Sequence, residues 1–169
     1  IAERVQKRGY LTVHQFHSIR ELKEWAPRIG SAYNNAFINN WEYYPLTERE
    51  IAYVVNTLQN IADPRLIKII LQDQEAVGFI FAFPDIASAV QRTGGRLFPF
   101  GFLDLMLEMR RTNWVAVNTA GILPEYHGHG GNVLLYTELL KTIQQRNFEH
   151  AAIYQVAETA TDMRRDLEQ

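Results

Sequence analysis

The chemistry of this chain concentrates in Pro124-Glu125-Tyr126-His127-Gly128-His129-Gly130-Gly131-Asn132-Val133-Leu134-Leu135. Gly128, Gly130 and Gly131 let the backbone turn sharply with positive φ, so that consecutive amides point into one small space. After the glycines, Val133, Tyr136, Leu140 and Ile143 recur at helical spacing, with Leu135 and Leu139 beside them. Before them, Trp114-Val115-Ala116-Val117 has the composition of a buried strand. A strand, a glycine turn and a helix N-terminus with its partial positive charge make a place suited to an anion, most naturally a phosphate or pyrophosphate.

Two nucleotide-binding patterns do not fit. A P-loop needs Gly-Lys-Ser/Thr before its helix, and none is present. A dinucleotide fingerprint needs a third glycine where Val133 stands and an acidic residue after the next strand, and Glu158 comes too late. A metal reading from Glu125, His127 and His129 lacks a third histidine partner, and the turn's task is amide presentation. Exposed turn histidines are the better account, and no metal is expected. The residues alone also allow a glycine-rich turn that holds no ligand.

The elements around this turn follow in order. Leu11 to Phe16 alternates and predicts a first strand. Ser18 with Glu21 opens a helix carrying Ile19, Leu22, Trp25 and Ile29, with a kink or restart expected at Pro27 and Gly30. Asn39-Asn40-Trp41-Glu42-Tyr43-Tyr44-Pro45 is a loop rich in aromatics and amides. Thr47 with Glu50 is a second capping box, before Ile51, Val54, Val55, Leu58 and Ile61. Leu66 to Leu71 and Ala76 to Phe83 predict an antiparallel hairpin around Gln72–Glu75. The segment Ile86 to Met109 holds a short helix, Gly94-Gly95 and the apolar block from Leu97. Arg92, Arg96, Arg110 and Arg111 read as solvated surface charges. Ala151 to Val156 predicts another strand, and Thr161 opens a last helix.

At 169 residues the chain suits one domain with a real core. A net charge of −2 gives no field for nucleic acid, and no basic cluster tracks a polyanion. Cysteine is absent, which removes disulfides, a thiolate nucleophile and thiolate-bound zinc, and fits a reducing compartment. No stretch has the ~20 apolar residues of a spanning helix and no signal peptide is visible, so a cytoplasmic protein with no membrane partner is expected.

The glycine segment resembles motif A of the GNAT acyltransferases, Gln/Arg-x-x-Gly-x-Gly/Ala. His127 takes the Gln/Arg place, Gly130 the central glycine and Asn132 the final Gly/Ala place. Two of these three places are therefore substituted. The element order β, α, α, β, β, β, α, β, α is also that of the family. The segments Tyr33-Asn34-Asn35-Ala36-Phe37, Asn40-Trp41, Pro45-Leu46-Thr47-Glu48 and Gly95 to Gly101 resemble the C-terminal half of bacterial proteins with two acetyltransferase-like halves.

This resemblance implies an α/β (α+β) fold, a mixed and mostly antiparallel sheet flanked by helices, over residues 9–169. Residues 1–8 then form a connector from an upstream half, and the last strands of the fold are expected to be missing after Gln169. It further implies acetyl-CoA or another acyl-CoA as co-substrate and a small-molecule amine as acceptor. The backbone from Val115 through Val117 to Thr119 would meet the pantetheine arm. The amides of His127, Gly128, His129, Gly130, Gly131 and Asn132 would meet the pyrophosphate. Trp41, Tyr43 and Tyr44 fall on the loop that covers the acceptor in the family.

The family's usual acid, a tyrosine in the last helix, falls on Leu167, and its asparagine falls near Ala160. Candidate replacements are Tyr126, His127, Glu125 and Tyr43 or Tyr44, with Tyr126 put first. An alternative is a catalytically weak or inactive domain that binds coenzyme A or a partner. The apolar block Leu97 to Met106 suits a long acyl chain, the missing half or a second subunit, and the edge at Ile153 and Tyr154 suits missing C-terminal strands or a neighbouring molecule.

Overall fold

The clearest strands of the sequence fold as β2 (Ile67–Gln72) and β3 (Glu75–Pro84), joined by the two-residue turn Asp73-Gln74. Both turn residues have positive φ, 47° and 71°, the twist that closes a tight hairpin. The computed structural model describes residues 10–154, apart from positions 41, 97 and 147. The expected connector, Trp41, Leu97, Ala160, Leu167 and the last helix lie outside the described residues.

β1 (Thr12–Gln15) pairs with β2, and β4 (Trp114–Ile122) with β3, all antiparallel. β5 (His150–Ile153) then joins β4 in parallel, giving a five-stranded sheet in the order β1-β2-β3-β4-β5. This is the mixed, mostly antiparallel sheet that the resemblance implies. β2 is buried on both faces, which is why it reads as an almost unbroken apolar run.

Each face has its own core. On one, α6 (Gly131–Gln145) sets Leu134, Leu135, Leu139 and Ile143 against Ile70, Val77, Ile80, Val115 and Val117. On the other, α1 (Ile19–Glu24) and α2 (Ala26–Phe37) set Leu22, Ile29 and Ala32 against Ile67, Ile69 and Phe79. The Ser18 hydroxyl accepts from the Glu21 amide at 3.1 Å and starts α1. The break between α1 and α2 falls at Trp25, not at Gly30. Pro27 lacks an amide hydrogen and suits only a first helical turn, so α2 restarts just before it. Gly30 stays inside α2.

α3 (Glu48–Leu58) begins with the expected capping box: Glu50 N–H donates to the Thr47 hydroxyl at 3.3 Å, and Thr47 N–H to the Glu50 carboxylate at 2.8 Å. It contains no buried residue. Between β3 and β4 the chain forms a helical hairpin, α4 (Ala87–Thr93) and α5 (Gly101–Arg111). Arg92 is paired, not free in solvent: it donates to Asp104 at 3.0 Å and to Glu108, tying the two helices together. The apolar block stays outside the core, with Phe98 90% and Phe100 74% exposed, although Leu105 is buried.

One charged side chain is wholly interior. Lys68 on β2 is fully buried, and its Nζ has no hydrogen-bond partner among the described residues. Burial pushes its ammonium pKa below the usual lysine value, against the opposing pull of Glu138 and Asp63. Both carboxylates are already held. Glu138 accepts from Gln15 at 2.9 Å and Lys141 at 2.7 Å, and Asp63 pairs with Arg65 at 3.0 Å and Arg146 at 2.9 Å.

Candidate functional site

The glycine stretch forms a turn into the N-terminus of α6. A single 3-10 turn at Pro124–Tyr126 brings the chain off β4, and Gly128 (φ 77°) and Gly130 (φ 83°) reverse it. Gly130 is the N-cap and has no side chain with which to cover the first amides of the helix. A Cβ built on Gly128 meets nothing within 4 Å, so open space lies over the turn. Gly131 has a different task from the one its neighbours suggest. Its Cβ would stand 2.8 Å from Ile122 Cδ1 and 2.9 Å from Ile70 Cδ1, so its bare backbone lets α6 close on the sheet.

The histidines are spoken for differently. His127 Nε2–H donates to the Ile122 carbonyl at 3.0 Å and pins the turn to the end of β4. His129 is exposed, edge-on to Tyr126 at 6.4 Å. Tyr126 is half-buried against the core on the α6 side. Among the described residues no three histidine, aspartate or glutamate groups converge as a metal site.

Among the described residues, the pairing of β4 changes on both sides at one place. On the β3 side Phe81 pairs with Thr119 but Ala82 pairs with Val117, so Asn118 is the extra residue of a bulge. Bulges bend the strand that carries them and re-aim its side chains. On the other side β5 accompanies β4 only from Trp114 to Val117, and the Tyr154 amide donates to the Val117 carbonyl at 3.0 Å. Beyond Val117 no described strand takes that edge. Of the three strand positions the sequence nominated, Val115 and Val117 lie beside β5 with buried side chains, and only Thr119 lies past its end. Asn118 lies inside the nominated Val115 to Thr119 stretch, but its place as the bulged residue is new. Its signal was a polar side chain inside an apolar strand.

On the α1–α2 face a cavity of about 430 Å³ reaches the bulge at Asn118 and Thr119. Leu22 and Ile29 line one wall, Ile51 and Val55 of α3 the other, and Ile67 and Phe81 the floor. Among the described residues no charged side chain and no histidine lines it. Tyr33 stands in its wall, and burial raises its hydroxyl pKa above the usual value.

The loop before α3 is fixed by Asn34. Its Oδ1 accepts from the Tyr43 hydroxyl at 2.6 Å and the Leu46 amide at 2.9 Å, and its Nδ2 donates to the Leu46 carbonyl at 2.8 Å. Burial, then the neighbouring Tyr33, push the Tyr43 hydroxyl pKa up. Tyr43 thus serves the loop, Tyr44 is 88% exposed, and neither lines the cavity.

The chain as a whole superposes on solved structures. The chain superposes on an N-acetyltransferase from Staphylococcus aureus with a TM-score of 0.60 at 16% identity, covering 94% of this chain and 81% of that one. It superposes on a GNAT family acetyltransferase from Brucella melitensis in complex with acetyl-CoA with a TM-score of 0.56 at 13% identity, covering 90% and 80%. The fold is the GNAT acyltransferase fold.

No protein-family model matches the chain. By sequence it is 29% identical over 113 residues to the bacterial ceramide synthase of Caulobacter vibrioides, covering 65% of this chain and 29% of that protein. It is 28% identical over 142 residues to protein YghO of Escherichia coli, covering 80% and 36%. The GNAT-fold chain therefore spans about a third of the length of the curated relatives it matches. No described helix is long and apolar enough to cross a membrane.

Proposed function

We propose that this GNAT-fold chain transfers an acyl group from acyl-CoA to the nitrogen of an amine. The observation that carries this reading is the juxtaposition at β4. No described strand pairs with β4 beyond Val117 on that side, and the same strand leads directly to the glycine turn and α6. The open space over Gly128 is room for a phosphate, and the uncapped helix end favours a negative charge there. Amides along Gly128 to Asn132 would hold the pyrophosphate, and the β4 backbone at Asn118 and Thr119 would hold the pantetheine arm. The likeness to a protein named ceramide synthase agrees with an amide-forming transfer, a ceramide being an amide.

Acyl-CoA supplies an activated carbonyl and a thiolate leaving group. The chain's residues must then place an amine at that carbonyl and deal with two protons. The C–N bond forms as the C–S bond breaks, the amine nitrogen gives up a proton, and the thiolate takes one. Among the described residues the cavity wall offers no carboxylate or histidine as a base, so on this reading the amine arrives already neutral and positioning does most of the work. Tyr126, beside the glycine turn, is the candidate acid for the thiolate. The same lack of a base favours the second reading, a coenzyme-binding domain of weak or no activity.

Calorimetry with acetyl-CoA, followed by thiol-release assays, separates these readings. Binding that Gly130→Val abolishes, with amine-dependent thiol release, is the expected result. Binding without release for any amine would establish the second reading. No binding at millimolar acetyl-CoA would overturn both.

A further inference from the structure

We infer that the cavity between α2, α3 and the sheet receives the aliphatic chain of the acyl acceptor, making that acceptor a long-chain amine. This rests on the transfer reading above and names its substrate class. The described lining carries no charge and is mostly apolar, with Asn118 and Thr119 at its β4 end and Tyr33 and Gln59 as its other polar side chains. A charged or sugar-like acceptor would find almost nothing to bind, whereas a hydrocarbon chain gains at every step along the wall. At about the 30 Å³ that a water molecule occupies in the liquid, the volume of about 430 Å³ admits a chain of on the order of a dozen methylene groups.

α3 supplies the second observation. Its Ile51, Val54, Val55 and Leu58 line the cavity, yet no residue of the helix is buried. An amphipathic helix that turns its apolar side to a space instead of a core is completed by an apolar occupant.

The geometry also says which substrate the chain belongs to. The glycine turn opens α6, which packs on one face of the sheet, and the cavity lies on the opposite face under α1, α2 and α3. A donor anchored at the turn reaches the bulge from the α6 side. An acceptor attacking from the other side has its nitrogen at Asn118 and Thr119 and its tail in the cavity.

The test is a homologous series. Thiol release from acetyl-CoA is measured with unbranched primary amines from two to sixteen carbons, below their micelle concentrations. The expected kcat/KM rises about fourfold per methylene, the factor that ~0.8 kcal/mol gives, and levels off once the cavity is full. Val55→Trp, on the half-exposed side of α3, should cut the ratio of long-chain to short-chain kcat/KM at least tenfold. A flat amine series, or a chain-length dependence that follows the acyl-CoA instead, overturns the proposal. Calorimetric binding of dodecylamine without coenzyme keeps the two readings distinguishable. Binding weakened by Val55→Trp supports the chain site even if no acyl transfer occurs, and no binding overturns it even if short amines are acetylated.

Discussion

Gly30 stands so close to Ile51 that a Cβ built on it would lie 2.3 Å from the Ile51 Cδ1. Two further Ile51 carbons would lie 2.9 Å away, so the whole side chain, and not merely its tip, would have to move. This contact is where α2 and α3 approach, and it sets the width of the cavity between them.

Gly30→Ala should therefore destabilise the protein despite alanine's better helix propensity. Overpacking costs about 1–3 kcal/mol, and the propensity gain offsets up to about 1 kcal/mol. A net loss of about 1 kcal/mol is expected in urea denaturation. A midpoint unchanged or raised would show that α3 is free to move away at no cost.

Asn34→Ala should cost more. It leaves the Tyr43 hydroxyl and both main-chain groups of Leu46 without their partner, and one unsatisfied buried group alone costs about 1–3 kcal/mol. Asn34→Asp keeps the acceptor for Tyr43 and Leu46 but loses the donation to the Leu46 carbonyl, so its loss should be smaller. Thermal melts of the two variants check the order, and equal losses would contradict it.

Lys68 makes stability depend on alkaline pH. Its pKa is lower in the folded chain than in the unfolded one, so the unfolded state binds more protons between the two values. Stability should therefore rise as pH climbs from the depressed folded pKa toward the ordinary value of 10.5. Lys68→Met should remove that rise and stabilise the protein at pH 7 by about 1–3 kcal/mol, the cost of a buried group left unsatisfied. Denaturation at pH 7 and pH 10 tests both parts, and a destabilised Lys68→Met variant would mean that the ammonium has a partner.

With no base among the described residues of the cavity wall, the transfer rate should follow the free amine. For an alkylamine of pKa near that of lysine, about 10.4, kcat/KM should rise about tenfold per pH unit below that value. A plateau near neutral pH in the thiol-release profile would reveal a base that the cavity wall does not show.

The parts of this fold that were legible in the sequence are those decided locally. The β2–β3 hairpin shows in its apolar runs and polar turn, the start of α3 in Thr47 and Glu50, and the donor turn in Gly128 and Gly130. Other features need the third dimension. α5 was read only as an apolar block, because Pro99 and Gly101 interrupt the pattern just before the helix begins. Gly131 resembles its neighbours in sequence, yet it serves close packing against Ile70 and Ile122. The cavity was not legible at all. Ile51 and Val55 have the spacing of core residues, and only the distance between α3 and the sheet decides whether they meet protein or an open space. The bulge at Asn118 was hidden for the same reason, since a bulge is a property of register between two strands.

A helix with no buried residue is expected to open before the buried strands of the sheet. Local unfolding free energy follows buried contacts, and α3 contributes almost none beyond its meeting with α2. Its amides should exchange with deuterium through small, local openings, well before those of β2 and β3, which must wait for the sheet to come apart. The helix is thus a separate cooperative unit, with a loose state already within thermal reach. Adding dodecylamine should slow exchange across Glu48–Leu58 and leave the amides of β2 unchanged, because an occupant of the cavity would extend the cooperative core to a helix that otherwise stands apart from it.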